Sequence, residues 1–114
     1  TAPSFEETDW PAILGLYKRL YAMKPSAIIA MHMSVSMSHV HGPEAAIEWL
    51  QKYPLPEYYL YHAILGDAFA KAEQNEAAER SLSLAVKLTR NAREKAFLEE
   101  RLAKLSSVPE LGTN

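Results

Sequence analysis

Hydrophobic residues recur along this chain at spacings of three and four, in blocks separated by short polar or proline-containing breaks. Trp10, Ile13, Leu14, Tyr17, Leu20 and Tyr21 follow helical spacing until Pro25. Asp9 can cap that first helix, and Pro11 is tolerated in its first turn. Ser26 can cap a second helix, in which Ile29, Met33, Met37 and Val40 form one stripe. Gly42-Pro43 ends it and starts a third, with Ala46, Ile47, Trp49 and Leu50 facing inward. The stretch YPLPE around Pro54 and Pro56 reads as a linker, because neither proline suits a helix interior. Tyr58, Tyr61, Leu65 and Phe69 mark the apolar side of a fourth helix. Asn75 and Glu76 open a fifth, which carries Ala78, Leu82, Ala85, Val86 and Leu88. Asn91 with Glu94 three residues later is a capping box for a sixth. Its buried face is Leu98, Leu102 and Leu105, and Lys95/Glu99 and Glu100/Lys104 are solvated i,i+4 pairs. The pattern predicts an all-α chain of about six helices in antiparallel hairpins with short turns. It divides into a lead-in at 1–8, a helical domain at 9–105 and a flexible tail at 106–114.

The stretch MHMSVSMSHVHG at 31–42 tests this reading. Its first eight residues alternate apolar with polar, as a strand would. A strand needs a partner, however, and no other segment offers period-two alternation. The three methionines and three histidines raise a metal site instead. On a helix, His39 and His41 lie about 200° apart, and His32 sits two turns before His39. At most two ligands converge there, whereas structural zinc takes four. The methionines fit as core filler, with Met33 and Met37 between helices and His39 and His41 facing solvent at the turn. No metal and no other cofactor is expected.

Composition narrows the function classes. The chain has 114 residues, is 48% hydrophobic and 23% charged, and carries a formal net charge of -2. That is one ordinary globular domain. Its basic residues are interleaved with acids, so it has no electrostatic footprint for nucleic acid. It has no cysteine, hence neither a disulfide framework nor a thiolate nucleophile, which fits a cytoplasmic protein. No apolar run approaches a membrane span and no signal peptide opens the chain. It begins without methionine, which predicts a piece of something longer. No G-x-S-x-G, phosphate loop or H-E-x-x-H is present. His62 reads as a packed or rim residue rather than a general base, and its pairing with Asp67 as weak. Catalysis is not expected.

A helical-hairpin repeat does emerge. Leu65-Gly66, Phe69, Ala78, Leu82 and Ala85 fall at the steps of the tetratricopeptide (TPR) repeat, whose period is about 34 residues. Residues 26–53 resemble a degenerate earlier copy, with Ala46 in the small position and Leu50 four residues on. Pro25 matches a closing proline, and the last helix a polar-faced cap. The resemblance implies a TPR-like α-solenoid whose first helices line a groove. Ala27, Ala30, Ser34, Met37 and Ser38 would face it from one repeat, and Leu60, Ala63, Asp67, Ala70 and Lys71 from the next. The candidate groove centres on Ser34, Met37, Ser38, Ala63, Asp67 and Lys71. Only Lys71 suits a clamp for a peptide carboxylate, so the groove favours a helix or another domain of its own chain.

A wider resemblance spans nearly the whole chain. SFEETDWPAILGLYKRLYAMKPS, AIIAM, HGPEAAIEWL, YYLYHAILGDAFAKAEQNEAAERSLSLAVKLT and NAREKAFLEERLAKL occur in that order. Together they resemble the C-terminal extension of a subgroup of extracytoplasmic-function (ECF) RNA polymerase sigma factors. Where that family shows L-N-R-A-V-A, this chain has Met31-His32-Met33-Ser34-Val35-Ser36 and lacks the Asn-Arg pair. The resemblance implies a regulatory or protein-interaction module acting in transcription initiation, in a bacterial cytoplasm. Its DNA- and polymerase-binding regions would lie upstream. The partners implied are those upstream domains, RNA polymerase or a regulatory protein, with neither direct nucleic-acid binding nor membrane contact. Self-association of this piece through a face around Trp10, Ile13 and Tyr17 is a further expectation. The competing reading is a free-standing TPR-like peptide-binding scaffold.

Overall fold

A computed structural model describes residues 8–107, and among them every regular element is an α-helix. These are α1 (Trp10–Met23), α2 (Ala27–His41), α3 (Pro43–Lys52), α4 (Tyr59–Lys71), α5 (Asn75–Leu88) and α6 (Ala92–Ser107). Local chemistry sets the boundaries. The Asp9 carboxylate accepts from the Ala12 amide at 3.1 Å, with Pro11 in the first turn of α1. Ser26 Oγ accepts from the Ile29 amide at 3.1 Å and caps α2. At the α2–α3 junction Gly42 has φ 95, a conformation that favours glycine, and Pro43 follows as the first residue of α3. Asn91 Oδ1 accepts from the Glu94 amide at 3.0 Å to start α6. Of the expected lead-in and tail, residues 1–7 and 108–114 lie outside the described residues. Ser106 and Ser107 belong to the last turn of α6 rather than to a tail.

The chain divides into two compact units, residues 1–53 and 54–114. In the first, α2 packs against both α1 and α3. Trp10 at the start of α1 stacks on His39 near the end of α2, with ring centroids 3.9 Å apart and an interplanar angle of 1°, so the two helices run antiparallel. Trp49 of α3 donates its indole Nε1–H to the Ala30 carbonyl at 2.9 Å. Tyr21 meets Trp49 and Tyr53 edge-on, bringing α1 and α3 together. The hydrogen bond to Tyr53, and then burial, push the Tyr21 hydroxyl above its ordinary pKa.

This packing corrects the expected stripe of α2. Its buried residues are Ala30, Met31, Met33, Ser34 and Ser36, whereas Ile29, Met37 and Val40 are only half-buried. A helix covered on two sides buries more than one stripe, and small polar residues enter wherever a neighbour comes close.

In the second unit α4 and α5 form a hairpin and α6 packs on α5. Leu82, Ala85 and Leu98 make the core, with Ala63, Val86, Leu102 and Leu105 packed around it. Gly66 sets the spacing of the hairpin. A Cβ added there would lie 2.8 Å from Leu82 Cγ and 3.3 Å from the Leu82 amide nitrogen. Leu82 is 1% exposed and has nowhere to move. The turn contains no glycine, and Glu73 takes φ 62 in its place.

Gly66→Ala should therefore destabilise the protein by about 1–3 kcal/mol, since overpacking outweighs the roughly 1 kcal/mol gain in helix propensity. Gly15→Ala, where nothing lies within 4 Å of the added Cβ, should instead stabilise it by about 0.5–1 kcal/mol. Denaturant melts of the two variants check the contrast.

Candidate functional site

The groove residues expected from the sequence fall in different units, three on α2 and three on α4. On α2, Ser34 is fully buried and donates its hydroxyl to the Met31 carbonyl of its own helix. Its hydroxyl is thus used within the helix, and its small size serves packing. Met37 and Ser38 are half-buried, while Met31 and Met33, at 1% and 4% exposure, take the core positions. Ala27 is half-buried and Ala30 is fully buried.

On α4, Ala63 packs against the Leu82–Ala85–Leu98 core. Asp67 sits between two cations. Lys71 Nζ is 3.2 Å from its Oδ2, one turn along α4, and Arg101 of α6 donates Nη2–H to its Oδ1. Arg101 also lies over the Phe97 ring, 5.8 Å from its centroid. The face of α4 assigned to a ligand is thus engaged by α6 at Asp67. Tyr59 strengthens the same junction by donating its hydroxyl to Glu94 at 3.2 Å. Burial, and then that bond, push the Tyr59 pKa up. Glu94 spends its side chain on Tyr59, while its amide is the group that Asn91 caps.

His62, buried on α4, has Nε2 2.8 Å from the Pro56 carbonyl. Because a carbonyl can only accept, Nε2–H is the donor, and this bond ties the YPLPE linker to the helix. Asp67 is not its partner. Among the described residues no three His, Cys, Asp or Glu side chains gather as a metal-binding group. The hollow lined by Glu76, Glu79, Arg80, Ser83, Leu102 and Ser106 is shallow and open, unlike the concave, mostly apolar pockets that bury small ligands. No described helix is long and apolar enough to cross a membrane.

The expected self-association face lies on α1. Trp10, Ile13 and Tyr17 are half-buried against the first unit. The residues that α1 leaves outside are Leu16, Leu20 and Met23, at 55%, 48% and 81% exposure.

An uncharacterised protein of Rhizobium meliloti (strain 1021) is 32% identical over 108 residues, which cover 91% of this chain and 25% of that protein. The chain thus spans about a quarter of the length of the curated relative it matches. No family model matches it, and no solved structure matches it at a significant level.

Two outcomes follow from the contacts. Asp67 and Arg101 are each about a third exposed (31% and 37%), so a double-mutant cycle in urea melts should give a coupling of about 0.2–1 kcal/mol that falls at high salt. The stacked His39 is not equivalent to His41. His39→Ala should cost about 0.5–1.5 kcal/mol through the lost stack, and His41→Ala no more than about 0.5 kcal/mol, as thermal melts will register.

Proposed function

We propose that this chain is a regulatory, protein-interaction module of a bacterial ECF-type sigma factor, working in transcription initiation in the cytoplasm and performing no catalysis of its own. The observation that carries the reading is the α4–α5 hairpin. Gly66 lies against Leu82 and Ala78 is fully buried, at the positions where the TPR-like pattern calls for small residues. That pattern is part of the wider resemblance to the sigma-factor extension. A relative four times as long as the matched segment is in keeping with a module that serves a larger protein. On this reading the helical hairpin of each unit is a TPR-like repeat. The promoter- and polymerase-binding helices lie upstream of the chain, and its contacts are with those domains, with RNA polymerase or with a regulator.

The runner-up is a free-standing TPR-like scaffold that binds peptides. It is weaker because Asp67, Lys71 and Arg101 satisfy one another and leave no carboxylate clamp on α4.

The sigma-factor reading makes the chain a DNA non-binder by itself. With 12 Lys and Arg against 14 Asp and Glu, it should leave promoter fragments unshifted in a mobility-shift titration at about 150 mM salt. Tight, sequence-selective binding by residues 1–114 would reject it.

A further inference from the structure

Between Asp9 and Glu44 the chain contains no carboxylate side chain, although the full sequence has 14. The cations in that stretch are Lys18, Arg19 and Lys24, all exposed and none ion-paired with another described residue. They belong to α1 and its C-cap. The same helix leaves a line of apolar residues outside: Ala12, Leu16, Leu20 and Met23, spaced by four, four and three. At about 100° per residue this line is only about 80° wide, because the opposite face, around Leu14 and Tyr21, is used in the first unit's own packing.

We infer that α1 is a docking ridge for an amphipathic helix of another polypeptide, apolar at i, i+4 and i+7 and flanked by Asp or Glu. The width of the line decides the kind of partner. A ridge of single residues at helical spacing inserts into the groove of one facing helix. Membrane-surface helices instead bury a broad apolar face, which α1 has already spent on its own core. Charge decides the partner's composition. Two copies of α1 laid together would set six cations from Lys18, Arg19 and Lys24 against only the two Asp9 carboxylates at the helix N-caps, whereas an acidic helix would neutralise them. The inference treats the chain as an interaction module but does not depend on the sigma-factor assignment, so a mobility-shift result leaves it standing.

Two fluorescein-labelled peptides of about 18 residues, long enough to form a helix, provide the test. Both carry leucine at i, i+4 and i+7, and they differ only in having Glu or Lys at the flanking positions. Anisotropy titrations with the 114-residue chain at low salt should show the Glu peptide binding at least about tenfold tighter than the Lys peptide. That preference should fade near 1 M salt, where screening acts within about 3 Å. Leu16→Asp with Leu20→Asp should abolish binding while the chain stays folded with a helical circular-dichroism spectrum, since both side chains are about half exposed. Its melting midpoint should fall by no more than about 10 °C, equivalent to about 1–2 kcal/mol. Leu16→Gln with Leu20→Gln, which keeps helix propensity, should weaken binding at least about tenfold with a near-parental melt. Lys18→Glu with Arg19→Glu, which removes no apolar contact, should reverse the preference between peptides. Equal affinity for both peptides, or none for the Glu peptide, would overturn the inference. So would a dimer in sedimentation that the Glu peptide fails to dissolve, or binding to phosphatidylglycerol vesicles in place of the peptide.

Discussion

Two helices can approach only as closely as their smallest facing side chains permit, and both units are organised by where those small residues fall. At Gly66 the approach to Leu82 is too close for even one added methyl group. Ala78 and Ala85 on the facing helix are fully buried. With the backbones this close, Leu82 is sealed between α4 and α5 and forms the platform on which Leu98 of α6 packs. Full burial of one such leucine is worth about 1.5–3 kcal/mol. The placement of α6, and with it the Arg101–Asp67 and Tyr59–Glu94 contacts, follows from that spacing. The first unit uses the same device with different residues. Ala30, Ser34 and Ala46 are buried between α2 and its neighbours, and the large side chains of Met31, Met33 and Leu50 fill what remains.

Close packing of helices leaves little room for an unsatisfied polar atom, and among the described residues no buried side-chain nitrogen or oxygen lacks a partner. The solutions are local wherever possible. Ser34 returns its hydroxyl to Met31 one turn back, Trp49 finds the Ala30 carbonyl, and His62 finds the Pro56 carbonyl. A histidine held by a backbone carbonyl in a helical core contributes to packing. The polar interior is accordingly closed on itself.

Features governed by neighbouring residues were legible in the sequence. Asp9, Ser26 and Asn91 cap the helices they were expected to cap, and Gly42-Pro43 and YPLPE separate elements where proline and glycine chemistry requires it. The apolar/polar alternation at 31–38 did not mislead, because the helical periodicity continued on both sides of it. What failed was anything that depended on which neighbours surround a helix. The stripe of α2 was drawn for one covered face when two are covered, so Ser34 and Ser36 were displaced from the expected core. Arg101 was missed altogether, since an ion pair 34 residues apart leaves no mark at helical spacing. Glu73 at φ 62 was equally invisible, because turn conformations of that kind are signalled by glycine or asparagine and this turn centres on neither.

With the interior satisfied, specificity has to be read from the surface, and the surface is uneven in charge. From Glu44 onward acids and bases are both present, and several neutralise one another along or between helices, as in Lys71–Asp67–Arg101 and Lys104–Glu100. Such pairs are individually weak, but they leave little net field for a partner to sense. The segment from Trp10 to Pro43 has no such compensation, and its cations share α1 with exposed leucines and a methionine. Exposed apolar area costs solubility and uncompensated charge opposes compaction. Stability within the first unit explains neither feature, since its core is complete without Leu16, Leu20 or Met23. Both features make sense together as one half of a contact whose other half is apolar and acidic.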